Sequence, residues 1–259
     1  MRADTPLEIL LKRDRIVVLA ALTGLVAVSW IYLIFDTMRM SDPAGAMMQV
    51  RSWTLLDAEL TLAMWIIMMV GMMVPGAAPT ILLYGLVTRK QSRRGHVLAP
   101  TGVFVTGYLI AWSVFSVLAT ALQWLMEHVT LLTPMVTLDS ALAAGALMVA
   151  TGVYQLTPTK RACLEHCRSP AEFLSRHWRK GFDGAIVMGL HHGAYCLGCC
   201  WGLMALLFVG GVMNLLWVAA LAAFVLIEKL TPFGYAAARG TGIILLLCGS
   251  FIALQGVGA

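Results

Sequence analysis

The sequence predicts an all-α, polytopic transmembrane helical bundle of about seven spans, with one short amphipathic helix on the cytoplasmic side. Three observations predict it. Hydrophobic residues make up 60% of the 259 residues and charged ones only 12%, at a mean hydropathy of +0.84, whereas soluble domains carry about 25% charged residues. The charges that exist leave long stretches free of Asp, Glu, Lys and Arg. Finally, Lys and Arg fall on alternate connections between those stretches.

The expected spans are approximately residues 16–35, 60–88, 97–126, 140–158, 184–210, 214–230 and 240–258, all within a single integral membrane domain. The first uncharged run is 20 residues long, close to the roughly 20 that cross about 30 Å of hydrocarbon. It exceeds the apolar segment of a cleaved leader, and Asp4, Glu8 and Asp14 sit where a leader carries positive charge, so it reads as an anchor. Residues 184–227 are 44 uncharged residues, too many for one crossing. Gly210, Gly211 and Asn214 supply the break, with Asn214 suited to cap the next helix.

Orientation follows from the basic residues. Four precede the first span, four follow the second (Arg89, Lys90, Arg93, Arg94), six follow the fourth and two follow the sixth, against only Arg39 and Arg51 on the other side. The N-terminus and these basic loops are therefore expected in the cytoplasm of a bacterial inner-membrane protein, with the C-terminus outside. The net charge of +5 reflects that asymmetry and contact with lipid head groups, not nucleic acid. No G-x-x-x-x-G-K-[ST] motif or other nucleotide motif is present.

The chemistry concentrates in four places. The outer connection 36–59 carries Met38, Met40, Met47 and Met48 with Asp42, Asp57 and Glu59. In the second span, Met64, Met68 and Met72 form an i, i+4, i+8 stripe, with Met69 and Met73 beside it. Thioethers at this spacing suit either flexible apolar packing or weak, exchangeable Cu(I) sites. Pro75 and Pro79 are expected to interrupt the helix, and Gly71 and Gly76 to admit a neighbouring helix.

The inner connection 159–183 contains Cys163, His166 and Cys167, three ligand types within five residues. Ser169, Pro170 and Glu172 then read as an N-cap, a first-turn proline and a capping-box acid. Phe173, Leu174 and Trp178 beside Arg176, His177, Arg179 and Lys180 predict an amphipathic interfacial helix.

In the fifth span His192, Cys196, Cys199 and Cys200 stand at i, i+4, i+7 and i+8 on one helix face, with Met188 one turn before and Met204 one turn after. Thiolate, imidazole and thioether together suit a soft or borderline ion, Cu(I) first and zinc second. A mid-span C-x-x-C lacks the exposed helix N-terminus of a thioredoxin-type site, and Cys200 stands where c-type haem attachment needs histidine. Glu228 and Lys229 close the sixth span, and the long stems of such charges usually reach for the interface.

Two blocks resemble a known family. One is the run from Tyr154, Gln155 and Pro158 into Cys163, Cys167, Arg168, Ser169 and Pro170. The other is Cys196, Cys199, Cys200 and Trp201, followed by Met204, Met213, Asn214, Glu228 and Lys229. With Met68, Met69, Met72, Met73 and Pro75 they are similar to a bacterial family of unknown function, described as predicted metal-binding integral membrane proteins. The resemblance covers roughly residues 60–230 and implies a polytopic membrane fold and a bound metal. It does not extend to the first span or the outer methionines, and Gly71 replaces an expected alanine.

These readings combine into an expectation of a soft-metal protein, most simply a copper transporter or delivery factor. Cargo would pass from the outer methionines along Met64, Met68 and Met72 to His192, Cys196, Cys199 and Cys200, and down to Cys163 and Cys167. Its partners would be membrane lipid, a soluble metal carrier on either side and a second copy of the chain, with no nucleic acid or nucleotide. No catalytic residue is assigned. The competing expectations are a thiol–disulfide oxidoreductase using the same cysteines and an assembly factor for a metalloenzyme.

Overall fold

The computed structural model describes residues 6–40, 53–92, 99–133 and 136–257. Among them regular structure is helical: α1 (Pro6–Met40), α2 (Leu55–Ser92), α3 (Thr101–His128), α4 (Ala141–Leu156), α5 (Pro158–Arg168), α6 (Pro170–His177), α7 (Gly181–Ala205), α8 (Leu215–Leu230) and α9 (Gly234–Val257). A single turn, Leu207–Gly210, prolongs α7. Each expected span overlaps one helix, although 97–126, 140–158, 184–210 and 214–230 overrun the helices they meet. Met40, Met47 and Met48 lie outside the residues whose side chains are described.

Five segments are long and apolar enough to cross a membrane: Arg15–Arg39, Leu55–Gln91, Thr101–His128, Gly181–Gly210 and Gly234–Gly256. The helices α4 and α8 have only 16 residues each. At about 1.5 Å per residue they fall short of a full crossing, and α4 bends by 65° into α5 after Thr157. Thr157 ends one helix and caps the next, its hydroxyl accepting from the Lys160 amide at 3.2 Å. Pro158 fits the first turn of α5, where no amide is needed.

The helices alternate in direction. Along α3 and α7, Gly107 meets Ile186 and Gly189, and Gly193 meets Ala111, so that pair is parallel. By contrast α4 and α9 are antiparallel, with Gly145 against Gly249 and Gly152 against Gly242. Trp65 reaches Gln123 at one end of α2 and Tyr84 reaches Ala99 at the other, so α2 opposes α3. A Cβ on Gly189 would stand 2.1 Å from the Phe104 carbonyl oxygen. Only glycine permits this backbone-to-backbone approach, which lets α3 and α7 pack without bulky side chains between them.

One expectation is corrected. Pro75 and Pro79 do not interrupt α2, which remains one helix through both; Tyr108 donates to the Met73 carbonyl at 3.0 Å two residues earlier. The 159–183 segment contains the expected amphipathic helix as α6, with Phe173 and Leu174 buried and Glu172 and Arg176 exposed. With α4 and α8 short, α5 and α6 fold back along α7 and bury Leu164, Cys167, Phe173 and Leu174 against the bundle. The predicted start of α6 at Ser169 and Pro170 is observed, without a side-chain cap. Asn214 caps α8 as expected, accepting from the Trp217 amide at 3.2 Å, and Gly211 breaks the chain with φ of 93°.

Candidate metal centre

The cysteines of α5 and α7 form one cluster. Because α5 runs beside α7, the Cys167 sulfur stands 3.8 Å from that of Cys199 and also lies beside Cys196. Cys163, one turn earlier, packs where Gly198 leaves out a side chain: a Cβ there would be 2.6 Å from its sulfur. Cys167, Cys196, Cys199 and Cys200 are all buried, Cys163 is half-buried, and all five are free thiols. The inner and mid-span cysteine sets, expected as separate stations, are therefore a single centre.

Its walls come from three further helices. From α3, the Tyr108 hydroxyl is 3.1 Å from the Cys196 sulfur. From α8, the Lys229 ammonium donates to the same sulfur at 2.9 Å. From α2, the thioether of Met73 is 3.8 Å from the Cys200 sulfur. The methionine that meets the thiols thus belongs to the second stripe, Met69 and Met73. Met64, Met68 and Met72 are also buried in α2, and Met64 lines a cavity of about 520 Å³ with Asp36, Arg39 and Met213.

The other expected ligands are less engaged with the thiols. His192 is buried among Phe104, Tyr108 and Phe173, and its Nδ1 has no hydrogen-bond partner. Met188 is buried and its sulfur accepts from the Arg179 amide at 3.4 Å. His166 turns away from Cys167, giving Nδ1 to the Ala162 carbonyl at 2.8 Å and stacking on Tyr195. There it meets His177, which in turn meets His191.

Among the described residues, no three His, Cys, Asp or Glu side chains stand in a metal-holding arrangement. The rotamers account for this. Cys199 and Cys200 both turn their thiols back onto the Cys196 carbonyl, at 3.1 and 2.9 Å. Cys196 itself is occupied by Lys229 and Tyr108. The sulfurs are gathered, but each is held by the protein's own polar groups. Rotation about χ1 of Cys199 and Cys200 would break these two contacts with the Cys196 carbonyl.

A buried charge network braces the centre from below. Lys160 of α5 donates to both Glu228 carboxylate oxygens, at 2.9 and 2.7 Å, and Gln155 donates to one of them at 3.1 Å. Arg168 donates to the Glu228 backbone carbonyl. Glu228 and Lys229 are 1% and 4% exposed, so neither reaches the interface as their position in the sequence suggested. This network fixes α5 to α8 and so fixes Cys167 against α7.

Residues 62–252 match the PpoB2 family, described as a copper chaperone. The chain belongs to that family. The match runs from within α2 into α9 and contains all but the first two residues of the 60–230 stretch on which the sequence resemblance rested. Copper association is thereby a family property, and all four thiols, Met73, Tyr108 and Lys229 lie inside the matched region. No curated protein and no solved structure matches the chain.

Proposed function

We propose that this protein is a multi-pass bacterial inner-membrane copper-delivery protein that holds Cu(I) at the Cys167, Cys196, Cys199 and Cys200 thiols. The gathering of four thiols from two helices, beside a thioether, carries this reading. Soft thiolate and thioether donors favour Cu(I) over harder ions, and two thiolates suffice for it. Zinc, a borderline ion that asks for a closed tetrahedral set, is the second choice at this centre.

The route begins at the cavity beside Asp36 and Met64 and follows the buried methionines of α2. Met64 and Met73 are nine residues apart, about 14 Å of helix, so the stripe bridges that cavity and the thiols. Met68 and Met72 lie between them. Cys163 and His166 stand at the other margin, where a soluble carrier would exchange metal. Seven passes with a cytoplasmic N-terminus are supported by the helix directions and by the basic-residue asymmetry, with α4 and the bent α5 counted as one pass and the short α8 as another.

The experiment is the Cu(I) content of protein purified under reducing conditions, wild type against the Cys167, Cys196, Cys199 and Cys200 to Ser variant. The serine variant is expected to remain folded and to lose the bound copper. Equal copper in the two would reduce the thiols to core packing.

A second reading has one observation behind it. The 3.8 Å between the Cys167 and Cys199 sulfurs is short enough that loss of two protons and two electrons would join them as a disulfide. Counting free thiols after mild oxidation separates the readings. Two thiols lost with no copper bound would favour the oxidoreductase.

A further inference from the structure

Lys229 has no role in the delivery route just described, yet its placement is specific. It lies inside the bundle, 4% exposed, with its ammonium 2.9 Å from the Cys196 sulfur. Glu228, its neighbour in sequence, is committed with both oxygens to Lys160. The stem of Lys229 runs through a notch in α2: a Cβ on Gly76 would be 3.0 Å from its Cδ. Gly76 follows Pro75 in the sequence, and its missing side chain makes room for a lysine, not for a neighbouring backbone.

We propose that Lys229 sets the charge class of the cargo, making the thiol centre select a monovalent soft cation over divalent ones. The inference rests on the thiol centre being the copper site. A fixed positive charge at the sulfurs repels any arriving cation in proportion to that cation's charge, and burial keeps water from screening it. Two thiolates and one monovalent ion carry one net negative charge, which the Lys229 ammonium cancels. The same two thiolates with a divalent ion are already neutral, so the ammonium is left uncompensated in an apolar interior, at high cost.

The direction of the effect does not depend on how many thiolates bind. Whatever the ligand number, removing one positive charge beside the ion relieves a divalent cation by twice as much as a monovalent one. Soft donors alone cannot make this distinction, because Cd(II) and Ag(I) both favour sulfur. The lysine adds selection by charge to selection by softness.

The test uses the full chain in detergent under reducing conditions, with Ag(I) as the monovalent probe and Cd(II) as the soft divalent probe. Each is offered in competition with a soluble dithiol. Wild-type protein is expected to retain Ag(I) and to exclude Cd(II) relative to the dithiol. Lys229→Gln keeps a donor to Cys196 and loses the charge. It should raise the ratio of Cd(II) to Ag(I) occupancy on the order of tenfold or more, and Lys229→Met should move it the same way. An unchanged ratio in either folded variant overturns the inference. If neither variant folds, the wild type decides alone, since Cd(II) loading as readily as Ag(I) would overturn it too. A wild type that binds neither Ag(I) nor Cu(I) instead refutes the thiol centre itself.

Discussion

The helices α7 and α9 are made to a similar plan and end with opposite roles. Both carry cysteine, both lie within segments long and apolar enough to cross a membrane, and both meet a partner through glycines, α7 against α3 and α9 against α4. On α9 the glycines Gly242, Gly249 and Gly256 recur every seventh residue and face α4. The other face exposes Ile243, Ile244, Leu247, Phe251 and Leu254, with Cys248 among them. On α7 Trp201 is exposed, but the cysteine face is covered by α2, α5 and α8, and there the polar and soft side chains collect. Glycine packing alone therefore does not mark a functional helix. What distinguishes α7 is the full burial of the face that carries His192, Cys196, Cys199 and Cys200, which removes water there and lets thiols, an ammonium and a phenol take one another as partners.

The sharpest test of that contrast is substitution of cysteine by serine on each helix. Cys248→Ser should leave bound copper unchanged, since the thiol is exposed and lacks neighbouring donors. Cys196→Ser should remove most of it, because Cys196 is the thiol to which Lys229, Tyr108 and Cys167 all turn. Copper per protein by elemental analysis distinguishes the two. Equal loss from both would erase the difference between the helices.

Much of this organisation was legible in the sequence, for identifiable reasons. Uncharged runs report on solvent, so the helical membrane class, the five long apolar helices, the break at Gly210 and Gly211 and the Asn214 cap could be read directly. Helical periodicity placed His192, Cys196, Cys199 and Cys200 on one face, and all are buried. Periodicity does not say which helices meet, so the approach of Cys167 to Cys199 and of Met73 to Cys200 was hidden. Lys229 left a clue that went unused. The uncharged part of its span, residues 214–227, is shorter than the roughly 20 residues of a crossing. The two charges that follow are needed to lengthen that span, and the structure buries both.

The next effect concerns the seam of α3 and α7. Gly189→Val would place side-chain atoms where the Phe104 carbonyl lies, and Gly107→Val would meet the Ile186 carbonyl. Overpacking of this kind costs typically 1–3 kcal/mol and occasionally more, and here the obstruction is backbone that cannot turn aside. Both variants should lower the thermal midpoint in detergent by several degrees. Gly240→Ala on α9, with nothing within 4 Å of the new Cβ, should not. A tolerated valine at 189 would mean that the close approach is not required for folding.

The charge network gives a comparable but divisible effect. Removing one partner of a buried ion pair costs roughly 3–5 kcal/mol, because the other charge is left uncompensated. Lys160→Met alone and Glu228→Gln alone should therefore each destabilise the protein. The double variant should recover much of the loss, since no charge then remains unpaired. Thermal unfolding of the three proteins checks this, and additive losses would show that Lys160 and Glu228 are not coupled. No such network exists among the described contacts of α4 with α9, so the same test has no counterpart there.

The smallest effect on stability, and the most informative about route, comes from the methionines of α2. Leucine for methionine conserves volume and usually costs under about 1.5 kcal/mol, so Met64→Leu, Met68→Leu and Met72→Leu together should leave the protein folded. If the stripe only fills space, copper loading is untouched. If it conducts Cu(I) from the cavity beside Asp36, the triple variant keeps the thiol centre but fills it slowly from that side. Loading from the side of Cys163 and His166 should stay at the wild-type rate. Met73→Leu should behave differently, because its sulfur touches Cys200: it should weaken retention whichever side the metal comes from. Reconstituted vesicles with Cu(I) supplied on one face at a time separate these outcomes. Equal rates from both faces in the triple variant would return Met64, Met68 and Met72 to the packed core and leave Met73 as the one methionine with a part in holding the metal.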